Sequence, residues 1–364
     1  SSNLKICWLK NADVFKNGEE IIFADDTLKI LVENKQLGDI YEVSQGVVEA
    51  VDKISSKQFN EKPIPKFQVG QGVFVLSKDE LKQMNLSNEE FKIIKPYIDP
   101  YDVKKYAIDK NNPKYLIYGD KINRNLISKN RNYVRLKNHL DLFQPYITSS
   151  NKPYGLHRAR KKKFFENPKI IFKGMFVYPE FAYDFEKFYF GLSFISIIQK
   201  NKRQGLKFLL GILNSKFAKE WFFNNGKMRG AGVDIGVKKL RTFPVAIVEN
   251  EKALETVVDY IIFLKSNSLI NVNNQLMFSY FEQIIDGMVY ELYFPELLKK
   301  HSLEFIKHCN NLPTLMDELN NEKKIKLLEK VYNQTNEKSH PIKTNLSKLL
   351  SIPEIEIIEG INEK

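Results

Sequence analysis

The residue types best equipped for chemistry in this chain are cationic and crowded together. Between Asn151 and Gly174 the sequence reads NKPYGLHRARKKKFFENPKIIFKG, with Arg158 and Arg160 two apart, His157 before them, and Lys161, Lys162 and Lys163 in a run. A planar guanidinium pairs bidentately with guanine O6/N7 or with a phosphate. On an extended segment, side chains two apart leave from one face, so Arg158 and Arg160 are candidate base readers. The three lysines are candidate phosphate contacts, which hold register without reading sequence. His157 suits a bond to a base or phosphate and, equally, a bracing role within the loop. Phe164 and Phe165 are expected to anchor the loop to a core, and Lys-Ile-Ile-Phe (169–172) to be the strand beside it. A second cluster, NNGKMRGAGVDIGVKK, offers Lys227, Arg229 and Lys238 on a loop whose glycines let backbone approach a groove closely. A third, GDKINRNLISKNRNYVRLKN, offers Lys121, Arg124, Lys129 and Arg131 among asparagines, whose amides can read adenine N6/N7. The plain alternative for each cluster is a solvated face or an ordinary connection.

Bond-breaking chemistry finds little support. There is no GxxxxGK[ST] loop, and RGAGVDIG (Arg229 to Gly236) follows a helix pattern, where GxGxxG would follow a strand. The Asn-Pro-Pro-aromatic signature that holds a flipped adenine is missing; Asn112-Pro113-Lys114 and Asn167-Pro168-Lys169 lack the second proline and the ring. A nuclease needs paired carboxylates near a lysine to hold a divalent ion. The candidate is YDFEKF, with Asp184, Glu186 and Lys187, and a metal-dependent nuclease using Asp184 and Glu186 is one alternative reading. The histidines, His139, His157, His301, His308 and His340, form no zinc-ligand pattern, and Cys7 and Cys309 support neither a disulfide framework nor a thiolate site. No metal site is expected.

The charge distribution agrees with binding rather than catalysis. The 364 residues carry a net +12, but residues 115–245 alone carry 26 Lys/Arg against 8 Asp/Glu, a net +18, so the flanks sum to −6. A basic module between acidic flanks suits a polyanion, since each cation set against a phosphate releases condensed counterions. With 43% hydrophobic residues, no long apolar run and no signal-like N-terminus, a globular cytoplasmic protein is expected. The initial Ser1 suggests a piece of something longer.

These side chains must be positioned by mixed elements. Residues 4–43 read as short apolar runs with a turn at Asn17-Gly18, a linking hairpin. A helix pattern passes through Leu81, Met84, Phe91 and Ile94. Strands are expected at KYLIYG, KIIFKGMFVY and FISIIQ, and one strong helix over GLKFLLGILNSKFAKEWFFN. Beyond Pro244 the pattern becomes helical. EKALETVVDYIIFLKS and QLMFSYFEQIIDGMVYELYF each carry one apolar stripe, predicting an antiparallel pair that ends before Pro295, with later segments packing beside it.

In order and spacing, LHRARKKKFFENPKIIF, YPEFAYDFEKFYF, LKFLLGILNSKFAKEWFF and MRGAGVDIGVKKLRTFPV resemble the C-terminal target-recognition region of type IIG restriction-modification enzymes and Taq-type N6-adenine DNA methyltransferases. The resemblance covers roughly residues 37–248, with LGDIYEVSQGV as its entry. It implies an α+β fold: a linking segment (1–36), a mixed α/β DNA target-recognition domain (37–248) and an α-helical domain (249–364). It also implies recognition of a short sequence in double-stranded DNA, by a chain that is not itself catalytic. The methyltransferase domain of the parent polypeptide would bind S-adenosylmethionine, and no cofactor is expected in this chain. A different reading makes the chain a specificity or interaction subunit that docks a partner through its C-terminal helices.

Overall fold

The computed structural model describes residues 21–22, 29–30, 34–200, 204–266 and 272–359. The fold mixes helix and sheet, and among the described residues beyond 252 only helices occur. Of the linking hairpin, Ile21–Ile22 pairs antiparallel with Lys29–Ile30, whereas the expected Asn17-Gly18 turn lies outside the described residues.

Among the described residues there are two four-stranded sheets. The first runs Ala182–Asp184, Lys169–Lys173, Phe194–Gln199, Tyr41–Gln45, antiparallel throughout. The second runs Tyr189–Phe190, Ile94–Ile98, Lys114–Ile117, Val75–Ser77, with only its first pair parallel. The first sheet is a wall between two apolar cores. Ile170, Phe172, Ile195 and Ile197 face one core, and Ile171, Ala182 and Phe194 face the other. Successive side chains leave a strand on opposite faces, so a strand covered on both sides must be apolar at nearly every position. That is why KIIF and FISI carry no polar alternation, and their two polar members, Lys169 and Ser196, are themselves buried.

The two cores do not follow the chain in order. One joins the first sheet to Leu209, Leu213, Trp221 and the helices after residue 252, through Val257, Ile261, Phe281 and Met288. The other gathers Phe74, Leu116, Leu136, Leu140 and Phe165 around the second sheet. The helices Lys252–Ser266 and Val272–Tyr293 are antiparallel, as Tyr260 meets Phe281 and Lys265 lies over Phe278. Pro295 then opens a further short helix.

Two helix expectations need correction. The expected single helix over 205–224 is two, Leu206–Leu213 and Lys216–Asn225. Between them Asn214 is buried and bonds both backbone groups of Phe181 (3.0 and 2.9 Å), while the Ser215 hydroxyl caps the next helix by accepting from Ala218 N. The pattern through Leu81, Met84, Phe91 and Ile94 is likewise divided, into Lys78–Gln83, Asn88–Phe91 and a strand beginning at Ile94. Ser77 with Glu80 and Ser87 with Glu90 form reciprocal capping boxes, so each serine starts its own helix. No helix among the described residues is long and apolar enough to cross a membrane.

Candidate nucleic-acid interface

The loop carrying His157 to Lys163 is built by its own side chains before it meets the rest of the protein. Asn151 Nδ2 donates to the carbonyls of Leu156 (2.8 Å) and His157 (3.4 Å), and Ser149 Oγ donates to Gly155 O at 2.6 Å. The loop is then tied to both sheets. Val48 and Arg158 exchange backbone bonds (2.9 and 3.1 Å), Leu156 N donates to Gly119 O, and Tyr118 Oη donates to Arg160 O at 3.0 Å. Gly119 matters here, because a Cβ on it would sit 2.3 Å from Tyr154 O. Phe165 is fully buried, stacks on Tyr189 at 4.4 Å and anchors the loop, whereas Phe164 is half-buried and lies beneath the ammonium of Lys163.

The same contacts draw in the third cluster. Lys121–Lys129 is a helix capped by Asp120, whose Oδ1 accepts from Ile122 N (3.1 Å) and Asn123 N (2.8 Å). Asp120 Oδ2 lies 3.8 Å from Lys162 Nζ, and Arg124 donates to Asn151 Oδ1. Helix and loop therefore form one surface. Residues 227–234 are a β-hairpin, where a loop was expected: Lys227–Arg229 pairs with Gly232–Asp234, which continues to Met175–Phe176. Gly230 takes φ +60° at the tight turn, a conformation that glycine adopts without strain. A hollow of about 370 Å³ lined by Gln45, Leu192, Asp234 and Gly236 lies beside this hairpin.

The cations divide into committed and free. Arg160 takes φ +63°, breaking the extended geometry expected of the Arg158–Arg160 pair, and its Nε donates to Gly46 O at 3.1 Å. Burial, and then the charge of Arg158, hold its guanidinium below the usual arginine range. Lys163 is bound to both carboxylate oxygens of Glu42 (2.7 and 2.6 Å). Lys162 faces Asp120, Arg229 faces Asp234 at 3.7 Å, and His157 Nδ1 meets Ser150 Oγ at 3.2 Å. Arg158, Lys161, Lys121, Lys129, Arg131, Lys227 and Lys238 are exposed, and no acidic partner meets them among the described residues. Sequence reasoning also missed neighbours of this set. A hollow of about 880 Å³ beside Lys121, Lys129 and Arg131 is lined by Ile122 and Asn125. The signal was available: on a helix whose buried side carries Asn123 and Ile127, Ile122 lies off that side and can only face outward.

The carboxylates of the nuclease alternative are occupied elsewhere. Asp184 is 1% exposed and forms an ion pair at 2.6 Å with Lys169, itself 0% exposed. Its oxygens also accept from Glu186 N (2.7 Å) and Phe188 N (3.1 Å), while Glu186 pairs with Lys110. Each carboxylate is thus committed to a lysine, and no group of three potential metal ligands forms among the described residues. Beneath the Val48–Arg158 bridge, Glu49 is buried and accepts from Tyr97 Oη at 2.9 Å. Burial pushes its carboxyl up to about 7, against the opposing pull of its hydrogen bonds.

Residues 95–245 match the family model of the TaqI-like C-terminal specificity domain. Three solved structures are similar at low identity. The type IIL restriction-modification enzyme MmeI in complex with DNA is 12% identical with a TM-score of 0.47, over 87% of this chain and 38% of that one. The type IIG restriction endonuclease BpuSI is 12% identical with a TM-score of 0.38, over 72% and 32%. The S subunit of a type I restriction-modification system from M. genitalium is 13% identical with a TM-score of 0.29, over 77% and 53%. The chain thus spans well under half the length of the first two. No curated protein matches.

Proposed function

We propose that this chain, which carries a TaqI-like C-terminal specificity domain over residues 95–245, selects a short sequence in duplex DNA on behalf of a catalytic domain elsewhere in a restriction-modification enzyme. One observation carries the reading: the loop 151–163 and the helix Lys121–Lys129 are bonded into one surface on which Arg158, Lys161, Lys121, Lys129 and Arg131 stand exposed without acidic partners. A merely solvated face would not need a loop braced by Asn151, Ser149, Tyr118 and Val48. The finer reading is that the catalytic domain is an adenine-specific methyltransferase of the type IIG kind, binding S-adenosylmethionine, to which this chain presents the target adenine. The resemblance of the four sequence blocks supports that part.

The test is duplex binding by the chain as a function of salt. If each of the six free cations other than Arg158 meets one phosphate, log K falls against log[salt] with a slope of about −5. Arg158→Ala should weaken the selected site by ~1–3 kcal/mol and relax preference at one base pair. Binding that is absent, or insensitive to salt, overturns the DNA reading and favours a subunit that docks a protein partner through its C-terminal helices.

A further inference from the structure

We infer that the outward face of the Lys121–Lys129 helix is a major-groove reading surface for an A·T base pair, with Asn125 on the adenine edge and Ile122 on the thymine methyl group. This rests on the duplex reading above and assigns to it two residues, a groove and a base pair.

The helix has one buried side, marked by Asn123 and Ile127. Directly opposite stands Asn125, with Lys121 and Lys129 one turn to either side and Ile122 one turn back along the same face. Together with Arg131 they line an open hollow of about 880 Å³, and no carboxylate lines it. Lys121, Lys129 and Arg131 have no ion pair among the described residues, whereas Lys162, Lys163 and Arg229 nearby all do. Three of the seven free cations are therefore gathered on this face, and their complement is a polyanion.

A polyanion alone does not account for the centre of the face. Ile122 is 68% exposed, and Asn125 is exposed with no protein hydrogen bond among the described residues. Leaving an isoleucine in water forfeits burial that a core position would have supplied, and an asparagine at mid-helix is a poor helix former. In the major groove the pair has a use: an asparagine amide bonds adenine N6 and N7 together, and an aliphatic group packs on the thymine methyl. Their Cβ atoms are about 5–6 Å apart, a span that fits one A·T pair or two neighbouring pairs. The groove is roughly 12 Å wide and admits one helix, while the deep narrow major groove of duplex RNA does not. The flanking cations then meet the phosphates on both sides. Asp120–Lys162 and Arg124–Asn151 hold the helix to the loop, so both read from one frame.

The experiment selects bound duplexes from a randomised library using the intact chain, Asn125→Ala and Ile122→Ala, with thermal melts to show that all three fold alike. The wild type should select a site containing an invariant A·T pair. Asn125→Ala should lose that preference alone, with affinity for the site down by about 5- to 150-fold. Replacing the thymine by deoxyuridine should weaken the wild type about fourfold, the worth of one methyl group, and leave Ile122→Ala unaffected. Replacing the adenine by 7-deazaadenine should weaken the wild type and leave Asn125→Ala unaffected. An identical selected site and identical analogue sensitivity in all three proteins overturns the helix assignment and leaves duplex recognition standing. A wild type that binds no duplex, or selects no sequence, overturns both.

Discussion

Replacing Lys169 by methionine should cost the fold about 3–5 kcal/mol, although methionine matches the length of the lysine stem and suits a buried site. The ammonium and the Asp184 carboxylate are 2.6 Å apart at 0% and 1% exposure, and Lys169 Nζ also donates to Phe165 O. Burial pulls the ammonium below the usual lysine range, and the charge of Asp184 opposes that pull. Removing Lys169 leaves the Asp184 charge buried with only the backbone N–H groups of Glu186 and Phe188 for partners. Asp184→Asn should cost a similar amount, because it strands the ammonium. The double variant Lys169→Met/Asp184→Asn buries no net charge and should be more stable than the sum of the singles by ~2–3 kcal/mol. Urea unfolding followed by circular dichroism reads all four proteins. Single variants each costing under ~1 kcal/mol and adding simply would refute the reasoning. A carboxylate kept free for metal would behave differently: neutralising it would relieve a buried charge, and Glu186→Ala would abolish a metal-dependent cutting of plasmid DNA.

Three further substitutions probe this surface. Because the Glu49 carboxyl is pushed up to about 7 in the folded state, the folded chain holds a proton that the unfolded chain has released above about pH 4.3, so stability falls as pH rises through that window. Glu49→Gln stays neutral and should gain up to about 3 kcal/mol over the wild type at pH 8 and almost nothing at pH 4; equal gains at both values would sink the assignment. Lys161→Ala should lower the salt slope of DNA binding by about one. Lys163→Ala should leave that slope unchanged, since Glu42 already holds its charge, and a loss equal to that of Lys161→Ala would show the pair opening on DNA.

What the sequence disclosed and what it hid follow from how far each partner lies along the chain. KIIF and FISIIQ were legible as strands because two-sided burial leaves their composition no alternative. The break at Asn214 was not, because the apolar stripe continues past it and its partner Phe181 is 33 residues away. The two capping boxes are local and were readable in Ser-Lys-Asp-Glu and Ser-Asn-Glu-Glu; the apolar period over Leu81 to Ile94 masked them. On the basic surface, residue types marked two segments that do meet, the Arg158 loop and the Lys121 helix. Which cations remain free was illegible. Lys163 is neutralised by Glu42, 121 residues distant, and Arg160 is held by Gly46, 114 residues distant, and no local pattern announces either contact.

The sheet that separates the two cores has a consequence for how such a molecule changes over generations. Stability is vested in its doubly covered strands and the aromatic rings beside them, while the free arginines, lysines and amides stand at the periphery, where a substitution shifts folding by about 0.5 kcal/mol or less. On the proposed function, the residues that would decide which letters are read are thus separate from those that decide whether the chain folds. A lineage built on this plan can acquire a new target by exchanging a handful of exposed side chains, and every intermediate on the way remains a folded protein.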